Sequence, residues 1–307
     1  MTRMPTILVP YETGECREDC QDIFVYLRPE TNGILVESTL MKVVQKDQYY
    51  LANMQLVYLA NLPGDFMRSR RIIEHHYRLK IKFCVTGKQS FTHHMRTAFE
   101  IYYDEDFDDA SVIGGFEAME MFGLSAEELS RVWVDRKQIL VINGQCIKKY
   151  KGHYIVNYDI PALLEKNDVA TDIAVMVFRT RLAYPDIHRL VSEMGEALRS
   201  NGLLPENMPL ARAFHYSKGP FEQISDAMGY LYRKDGTLVP LVENHFVKYL
   251  MNNGVSEEEV RMAVLHPIMG FHIAPTVVME DNLIAYTFDD TYEDAMRKFM
   301  SISYQVR

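Results

Sequence analysis

Residues 22–28 read DIFVYLR, and residues 172–180 read DIAVMVFRT. Each stretch opens with Asp-Ile and continues as a short run of β-branched, aromatic and other apolar residues, a pattern that predicts a buried strand. Asp172 follows Asp22 at an offset of 150 in a chain of 307 residues. The two stretches therefore raise the question whether one structural unit occurs twice.

Further landmarks repeat in the same order and at nearly the same spacing. Matching residues stand at offsets of 154 and 155: Asn53 and Asn207, Gly64 and Gly219, Phe66 and Phe221, and Tyr77 and Tyr232. A collinear series of this kind favours an ancient internal duplication. The alternative is two unlike domains whose landmarks coincide by chance.

Each unit reads as alternating strands and helices. In the second unit, apolar residues recur at helical spacing after the strand: Ile187, Leu190, Val191, Met194 and Leu198. In the first unit, LKIKFCV (79–85) reads as a strand. Each unit ends in a predicted β-hairpin that is followed by a helix. The first hairpin turns at Asn143-Gly144 and the second at residues 280–282.

The sequence therefore predicts an α+β fold with two similar lobes from an internal duplication. Each lobe is expected to be a mixed sheet with packed helices that ends in a β-hairpin, and a ferredoxin-like β-α-β core is a reasonable expectation for each. The N-terminal lobe would span residues 1–160, and the shorter C-terminal lobe residues 161–307. A short helix and a polar turn in residues 159–171 would join them.

Composition narrows the classes of function. The formal net charge is −9, and Lys and Arg cluster only weakly, so the sequence argues against a nucleic-acid partner. No apolar run approaches the roughly 20 residues that a membrane-spanning helix needs, and the N-terminal apolar stretch is too short for a signal peptide. We therefore expect a soluble cytoplasmic protein without a membrane partner. Self-association into a homo-oligomer stays open.

The sequence predicts no metal site and identifies no cofactor. The chain has four cysteines, which in a cytoplasmic protein do not make a disulfide framework: Cys16, Cys20, Cys84 and Cys146. A helix would bring Cys16 and Cys20 to one face, but no further ligand follows nearby. The histidine pairs at 75–76 and 93–94 are adjacent, and neighbours on a helix cannot chelate one ion. A site assembled across the fold stays open.

The stretch CVTGKQSFTHH (84–94) has the context of a phosphate-binding loop, because it follows a predicted strand and opens a helix. The full motif would need Gly at position 82 and Ser or Thr at position 89, where Lys82 and Gln89 stand. Lys88 is nevertheless a candidate anion-binding residue at the helix start. The alternative is an ordinary turn.

A second candidate loop emerges when the two units are compared. At an offset of 155, ANLPGDF (60–66) corresponds to HYSKGPF (215–221), where a strand ends and a helix begins. We expect Ser217, Lys218 and Gly219 to bind an anion there. His215 is the candidate catalytic acid or base, since imidazole titrates near neutral pH. The alternative is a polar surface loop in which His215 bonds to a backbone carbonyl.

No motif in the sequence defines a reaction, since there is no nucleophile elbow, catalytic-cysteine signature or dinucleotide-binding turn. The favoured hypothesis is a small anionic-ligand-binding protein or enzyme with its site on or between the two lobes. The alternative is a protein–protein interaction or assembly module without catalysis. The first hypothesis predicts a concave pocket with polar residues of the second lobe, and the second predicts a flat, exposed apolar patch.

We expect all cysteine thiols to be free. Titration of freshly purified protein with a thiol reagent, under denaturing and non-reducing conditions, should count four thiols per chain. A count of two or fewer would contradict this expectation, because it would reveal a disulfide.

Overall fold

A computed structural model describes residues 2–14, 19–29, 31–168 and 171–306. Its central sheet has the strand order β1 (Thr6–Val9), β3 (Met54–Leu62), β8 (Ile173–Thr180), β2 (Gln21–Leu27) and β9 (Phe214–Tyr216). All neighbouring strands in this sheet are antiparallel. The two predicted buried strands are thus confirmed as β2 and β8, and they pair with each other inside the sheet.

The helices that follow these strands connect them in the split β-α-β manner. α1 (Ile34–Lys46) and the short α2 (Gln48–Asn53) lead from β2 to β3. α10 (Tyr184–Ser200) and a 3-10 helix (Leu210–Arg212) lead from β8 to β9. β2 and β3 run parallel with β8 between them, and β8 and β9 run parallel with β2 between them. This is the strand order of a ferredoxin-like β-α-β-β-α-β sheet.

One ferredoxin-like core is therefore shared by both halves of the chain, and the expectation of a core with its own sheet in each half is wrong. Each β-α-β unit leaves a gap between its two strands, whose backbone N–H and C=O groups must find partners. A strand of the other half fills that gap, so each unit completes the sheet of the other. The α+β class is confirmed, whereas the duplication and the boundary at residues 160–161 stay predictions.

Both faces of the central sheet are covered. On β2, Ile23, Val25 and Leu27 belong to a core formed with α1 and α10, whereas Phe24 and Tyr26 belong to a core on the opposite face. The alternation follows from the two-residue period of a strand. Because both faces are buried, the strand reads in the sequence as a continuous apolar run.

The helices on the opposite face come from both halves of the chain. α3 (Gly64–Ser69) and α4 (Ile72–His76) follow β3, and α11 (Pro220–Tyr230) follows β9. Phe66 of α3 and Tyr230 of α11 are both buried in the core on this face. The sheet therefore brings helices from distant parts of the sequence against each other.

A long insertion between β3 and β8 carries a second sheet. Its strand order is β4 (Val112–Gly114), β7 (His153–Val156), β6 (Gln145–Tyr150) and β5 (Ile139–Ile142), with β4 parallel to β7 and the other pairs antiparallel. Beyond α4 the insertion contains α5 (Arg78–Thr86), the 3-10 helix Gly87–Ser90, α6 (His93–Tyr103), α7 (Gly115–Phe122), α8 (Ala126–Arg131), the 3-10 helix Arg136–Gln138 and α9 (Ile160–Asp168). The β5–β6 hairpin turns at Asn143 and Gly144, whose φ angles are 48° and 74°, as the sequence predicts.

The C-terminal part adds a third, antiparallel sheet with the order β11 (Val277–Asn282), β10 (Ile268–Ala274) and β12 (Ile302–Gln305). Its helices are the 3-10 helix Leu241–Glu243, α12 (His245–Asn252), α13 (Glu257–Leu265), α14 (Leu283–Tyr286) and α15 (Tyr292–Met300). The β10–β11 hairpin reverses at Pro275 and Thr276, so the predicted turn at residues 280–282 is wrong. Pro275 suits a turn because its φ is fixed and it has no N–H for a ladder.

The segment LKIKFCV (79–85) is helical and lies in α5, so the strand prediction is wrong. Its apolar residues alternate as in a strand, but the burial does not alternate. Phe83 and Cys84 are both buried, whereas Val85 is 62% exposed. Phe83 follows the partly buried Leu79 by four positions, so the buried side chains share one face of a helix.

Helix α5 passes close to Gly114, where an added Cβ would lie 1.9 Å from the carbonyl oxygen of Cys84. The backbone of Gly114 is extended, so an alanine there would strain only this contact. We expect Gly114→Ala to lower the free energy of unfolding in urea by about 1–3 kcal/mol, the usual cost of overpacking. Gly33→Ala is the control, because no atom lies within 4 Å of its added Cβ. Equal losses in the two variants would contradict the close approach.

Candidate functional site

A large cavity opens where the three sheets meet. Its volume is about 760 Å³, and its walls come from the end of β2, from the α3–α5 region, from β9 and α11, and from residues around α9, α13 and α14. Both halves of the chain contribute to it. About half of the lining side chains are apolar, and the polar ones include a set of cations and a cluster of imidazoles and carboxylates.

The cavity wall carries a surplus of positive charge. The cations that line it are Arg28, Arg70, Arg78, Lys80 and Lys218. In the part of the chain that the structure describes, no side-chain nitrogen of these five residues lies within 4.0 Å of a carboxylate oxygen. The lining also includes the carboxylates of Asp159 and Glu222. Unpaired cations thus gather at one place in a protein whose net charge is −9.

Arg28 directly follows β2 and is held among aromatic side chains. Its guanidinium carbon lies 5.4 Å from the centroid of the Tyr26 ring, and Nη1 donates a hydrogen bond of 3.4 Å to Oη of Tyr77. Its backbone N–H donates to the carbonyl oxygen of Ala213, which anchors the residue beside β9. A guanidinium held in this way keeps most of its N–H donors available for a carboxylate, phosphate or sulfonate group.

The second polar group is an imidazole–carboxylate cluster formed by His76, Asp226 and His215. His76 ends α4, His215 lies in β9, and Asp226 lies in α11. Nε2 of His76 is 3.6 Å from Oδ1 of Asp226, and Nε2 of His215 is 3.3 Å from Oδ2. The two imidazoles line the cavity, whereas Asp226 is fully buried and its Oδ1 accepts no hydrogen bond from the described residues.

The register of the central sheet positions His215. This residue lies opposite Tyr26 in the β2–β9 pair, and the two rings stack with their centroids 4.5 Å apart. The ring of Tyr230 lies 4.4 Å from that of Tyr26 and extends the aromatic wall. Glu222, one helical turn before Asp226, is 3.9 Å from Nε2 of His215. His215 is therefore held between aromatic rings and two carboxylates.

Burial dominates the protonation of the cluster. It lowers the pKa of His76 to about 4, although the charge of Asp226 opposes the shift. Burial likewise lowers the pKa of His215 to about 4, with Glu222 acting in the opposite direction. The pKa of Asp226 is raised by burial to about 7, while His76 and Arg28 act to lower it. Near neutral pH the cluster is therefore poised between binding no proton and binding one.

The residues predicted in the HYSKGPF loop have different positions. His215 and Lys218 line the cavity. Ser217 does not, because its side chain is fully buried and its Oγ accepts a hydrogen bond of 2.9 Å from the backbone N–H of Phe24. Gly219 packs against Thr287, where an added Cβ would lie 2.2 Å from the carbonyl oxygen. Ser217 and Gly219 therefore hold the β9–α11 connection in place.

Lys88 lies in the insertion and does not line the cavity. It follows α5, so the predicted strand before this loop is wrong. Its Nζ donates hydrogen bonds to the carbonyl oxygens of Asp108 (2.7 Å) and Ala110 (3.2 Å). It also lies 5.2 Å from the centroid of the Phe107 ring. These contacts use the amine of Lys88 to fix the chain around residues 107–110.

Four residues of the site were not predicted from the sequence: Arg28, His76, Glu222 and Asp226. Arg28 only closes the apolar run of β2, and His76 stands in an adjacent pair that argues against chelation. A signal for the carboxylates was present, because Glu222 and Asp226 are four residues apart and share one face of an otherwise largely buried helix. Local sequence patterns do not show the long-range strand pairing that brings these residues to His215.

Cys20, Cys84 and Cys146 are free thiols, and Cys16 lies outside the described residues. Cys20 precedes β2 and is not in a helix. Burial raises the pKa of the Cys84 thiol to about 11, which makes it a poor nucleophile. Within residues 2–14, 19–29, 31–168 and 171–306, no three or more His, Cys, Asp or Glu side chains could together hold a metal ion. No helix in these ranges is long and apolar enough to cross a bilayer.

Comparison of the chain with protein-family models, with curated proteins and with solved structures gives no match. The cavity and its charged groups are therefore the basis for inferring a function.

Asp226 and the two histidines of the cluster have opposite effects on how stability varies with pH. Folded Asp226 keeps its proton up to about pH 7, whereas the unfolded chain loses it near 3.8, so the contribution of Asp226 to stability falls as the pH rises through this window. His76 and His215 bind protons more readily in the unfolded chain. Their contribution therefore rises between about pH 4 and 6.5.

We expect Asp226→Asn to abolish the proton binding by folded Asp226 that makes stability fall with rising pH. Between about pH 5 and 6, the free energy of unfolding of this variant should rise relative to that of the wild type by about 1.4 kcal/mol per pH unit. Urea denaturation at several pH values measures this difference. The exposed Asp109→Asn is the matched control and should leave the pH profile unchanged. Parallel profiles for Asp226→Asn and the wild type would mean that folded Asp226 is not protonated in this range.

Proposed function

We propose that the protein binds a small organic anion in the cavity. The observation that carries this proposal is the set of cavity cations without a carboxylate partner within 4.0 Å among the described residues. Arg70 is exposed, and the other four cations are half-buried. Holding several half-buried positive charges close together is unfavourable unless a counter-charge is nearby. A chain with 42 acidic residues has abundant carboxylates to pair with them. An anionic ligand would supply the missing counter-charge.

Arg28 is the best candidate for the primary contact with the anionic group. The Tyr77 hydroxyl and the Tyr26 ring fix its guanidinium, so little side-chain entropy is lost when a ligand binds. A planar guanidinium matches a carboxylate, phosphate or sulfonate through two parallel hydrogen bonds. Lys218 adds a second charge from the β9–α11 connection on the same cavity wall.

The apolar part of the lining indicates that the ligand has an apolar body as well as an anionic group. Ile72, Leu79, Met228, Leu265 and Phe288 are among the side chains that line the cavity. A volume of about 760 Å³ lies within the range of pockets that hold small molecules. Burial of an aromatic or aliphatic group against these side chains would contribute affinity, while the cations would select for charge.

The alternative function, an assembly module, would require a contiguous exposed apolar patch. The most exposed aromatic side chain among the described residues is that of Trp133, with 84% exposure, between α8 and the 3-10 helix Arg136–Gln138. Other large apolar side chains are exposed as well, among them Ile34 and Leu35 of α1 and Ile101 of α6, and exposed apolar side chains are ordinary for a globular protein. The cavity, which contains polar residues of the C-terminal half as the ligand-binding hypothesis requires, supports the first proposal.

Benzenesulfonate is a suitable probe, because it joins an apolar ring to an anionic group whose charge is independent of pH. We expect it to bind the wild-type protein in isothermal titration calorimetry. Benzenesulfonamide has the same ring but no charge near neutral pH, so it should bind far more weakly. Equal affinity for the two compounds would contradict recognition of charge. Absence of binding by both would overturn the proposed function for this class of anion.

Variants of the two cations locate the site. Arg28→Met should weaken binding of benzenesulfonate by about tenfold or more, as expected for loss of a charge-assisted hydrogen bond, whereas the exposed Arg136→Met should not. Lys218→Ala should weaken binding and change the free energy of unfolding by less than about 0.5 kcal/mol, with Lys137→Ala as its control. If Lys218→Ala lowers stability and leaves affinity intact, Lys218 has only a structural role.

A further inference from the structure

The imidazole–carboxylate cluster is built differently from a structural ion pair. One buried carboxylate faces two imidazoles at distances of 3.3 Å and 3.6 Å, and its Oδ1 accepts no hydrogen bond from the described residues. Both imidazoles lie in the cavity wall, and Nδ1 of His76 has no hydrogen-bond partner in the described part of the chain. The cluster therefore has unused capacity for a proton and direct access to a ligand.

We propose that the imidazole–carboxylate cluster takes up a proton when an anion binds in the cavity, so that the ligand and the proton are bound together. This inference rests on the proposed function. The proton comes from the solvent and is held between Asp226 and the imidazole of His215, the nearer of the two imidazoles at 3.3 Å. An N–H or O–H bond to the cluster is the only bond that forms.

The coupling follows from the charges around the cluster. Arg28, at the end of β2, opposes a further positive charge on either imidazole. Lys218, from the β9–α11 connection, opposes it at His215. Glu222 of α11 acts in the opposite direction at His215. Among the described residues, the other titratable side chains whose rings contact the two imidazoles are Tyr26 from β2, Tyr77 after α4 and Tyr230 from α11. Burial raises the pKa of Tyr26 and that of Tyr230.

A bound anion changes this balance. Contact with Arg28 and Lys218 neutralises the two cations that oppose protonation, and the anion itself attracts a positive charge. The same two cations also act against the proton on Asp226, so neutralising them favours protonation there as well. Both effects act in the same direction. Binding should therefore draw a proton from solvent, and affinity should increase as the pH falls.

Calorimetry with benzenesulfonate tests the inference, because the charge of this probe is constant and any proton must be bound by the protein. The titration is repeated at the same pH in Tris and in triethanolamine, two amine buffers with different ionisation enthalpies. We expect the binding enthalpy to differ between the buffers by an amount that corresponds to uptake of up to about one proton per ligand between about pH 7 and 8. Affinity should fall with rising pH by at most about tenfold per unit.

Variants assign the proton to the cluster. Asp226→Asn should still bind benzenesulfonate but with almost no proton uptake, while Asp109→Asn should behave as the wild type. His215→Gln is the second variant and should reduce the uptake, which covers the case in which Asp226→Asn does not fold. A merely structural role of these residues would change affinity or stability without changing the proton count.

The possible outcomes separate this inference from the proposed function. Binding with equal enthalpies in the two buffers would overturn proton uptake and leave anion binding in place. Undiminished uptake in Asp226→Asn, or in His215→Gln if the first variant does not fold, would overturn the assignment to the cluster. Absence of binding by the wild type would overturn the proposed function, and the inference with it.

Discussion

The antiparallel pairing of β2 with β8 is the interaction on which the rest of the structure depends. Asp22 stands directly opposite Arg179 in this pair, and Nε and Nη2 of the arginine donate hydrogen bonds of 2.8 Å and 3.0 Å to the carboxylate. The hydroxyl of Tyr11 donates a third, of 2.6 Å. Three donors thus satisfy both oxygens of this buried carboxylate. Because a slip of one residue would separate the two charges and turn every side chain to the other face, the ion pair also fixes the register.

That register determines what faces the cavity. Asp22, Phe24 and Tyr26 point to the same face of the sheet by the two-residue period of the strand, and Arg28 continues the series at the point where β2 ends. β9 pairs with the same strand, so His215 comes to lie beside Tyr26 and the two rings stack. The arrangement that closes the gap in each β-α-β unit thus also brings a guanidinium and an imidazole to one edge of the sheet. The same strand pairing therefore determines both the fold of the central sheet and the position of the site residues.

Local chemistry predicted the parts of the fold that depend on neighbouring residues. The β5–β6 hairpin follows from Asn143 and Gly144, and the buried strands follow from their apolar runs. Prediction failed for residues 79–85, where the apolar residues alternate as in a strand but the partly buried Leu79 and the buried Phe83 follow helical spacing. The site shows the same limit. His215 and Lys218 were found by comparing the two units, but His76 and Asp226 join His215 only through the topology of the sheet, which no local pattern encodes.

Two fully buried carboxylates, Asp22 and Asp226, illustrate why the cluster is better explained by function than by stability. Asp22 has three short hydrogen bonds and a permanently charged partner. Asp226 has partners that lose their own protons on burial and lie at 3.3 Å and 3.6 Å, with one oxygen left without a hydrogen bond from the described residues. An apolar residue at this position of α11 would avoid the cost of burying a polar group. A carboxylate that the fold does not satisfy, behind two imidazoles in the wall of a cationic cavity, is an arrangement suited to exchanging a proton with whatever the cavity binds.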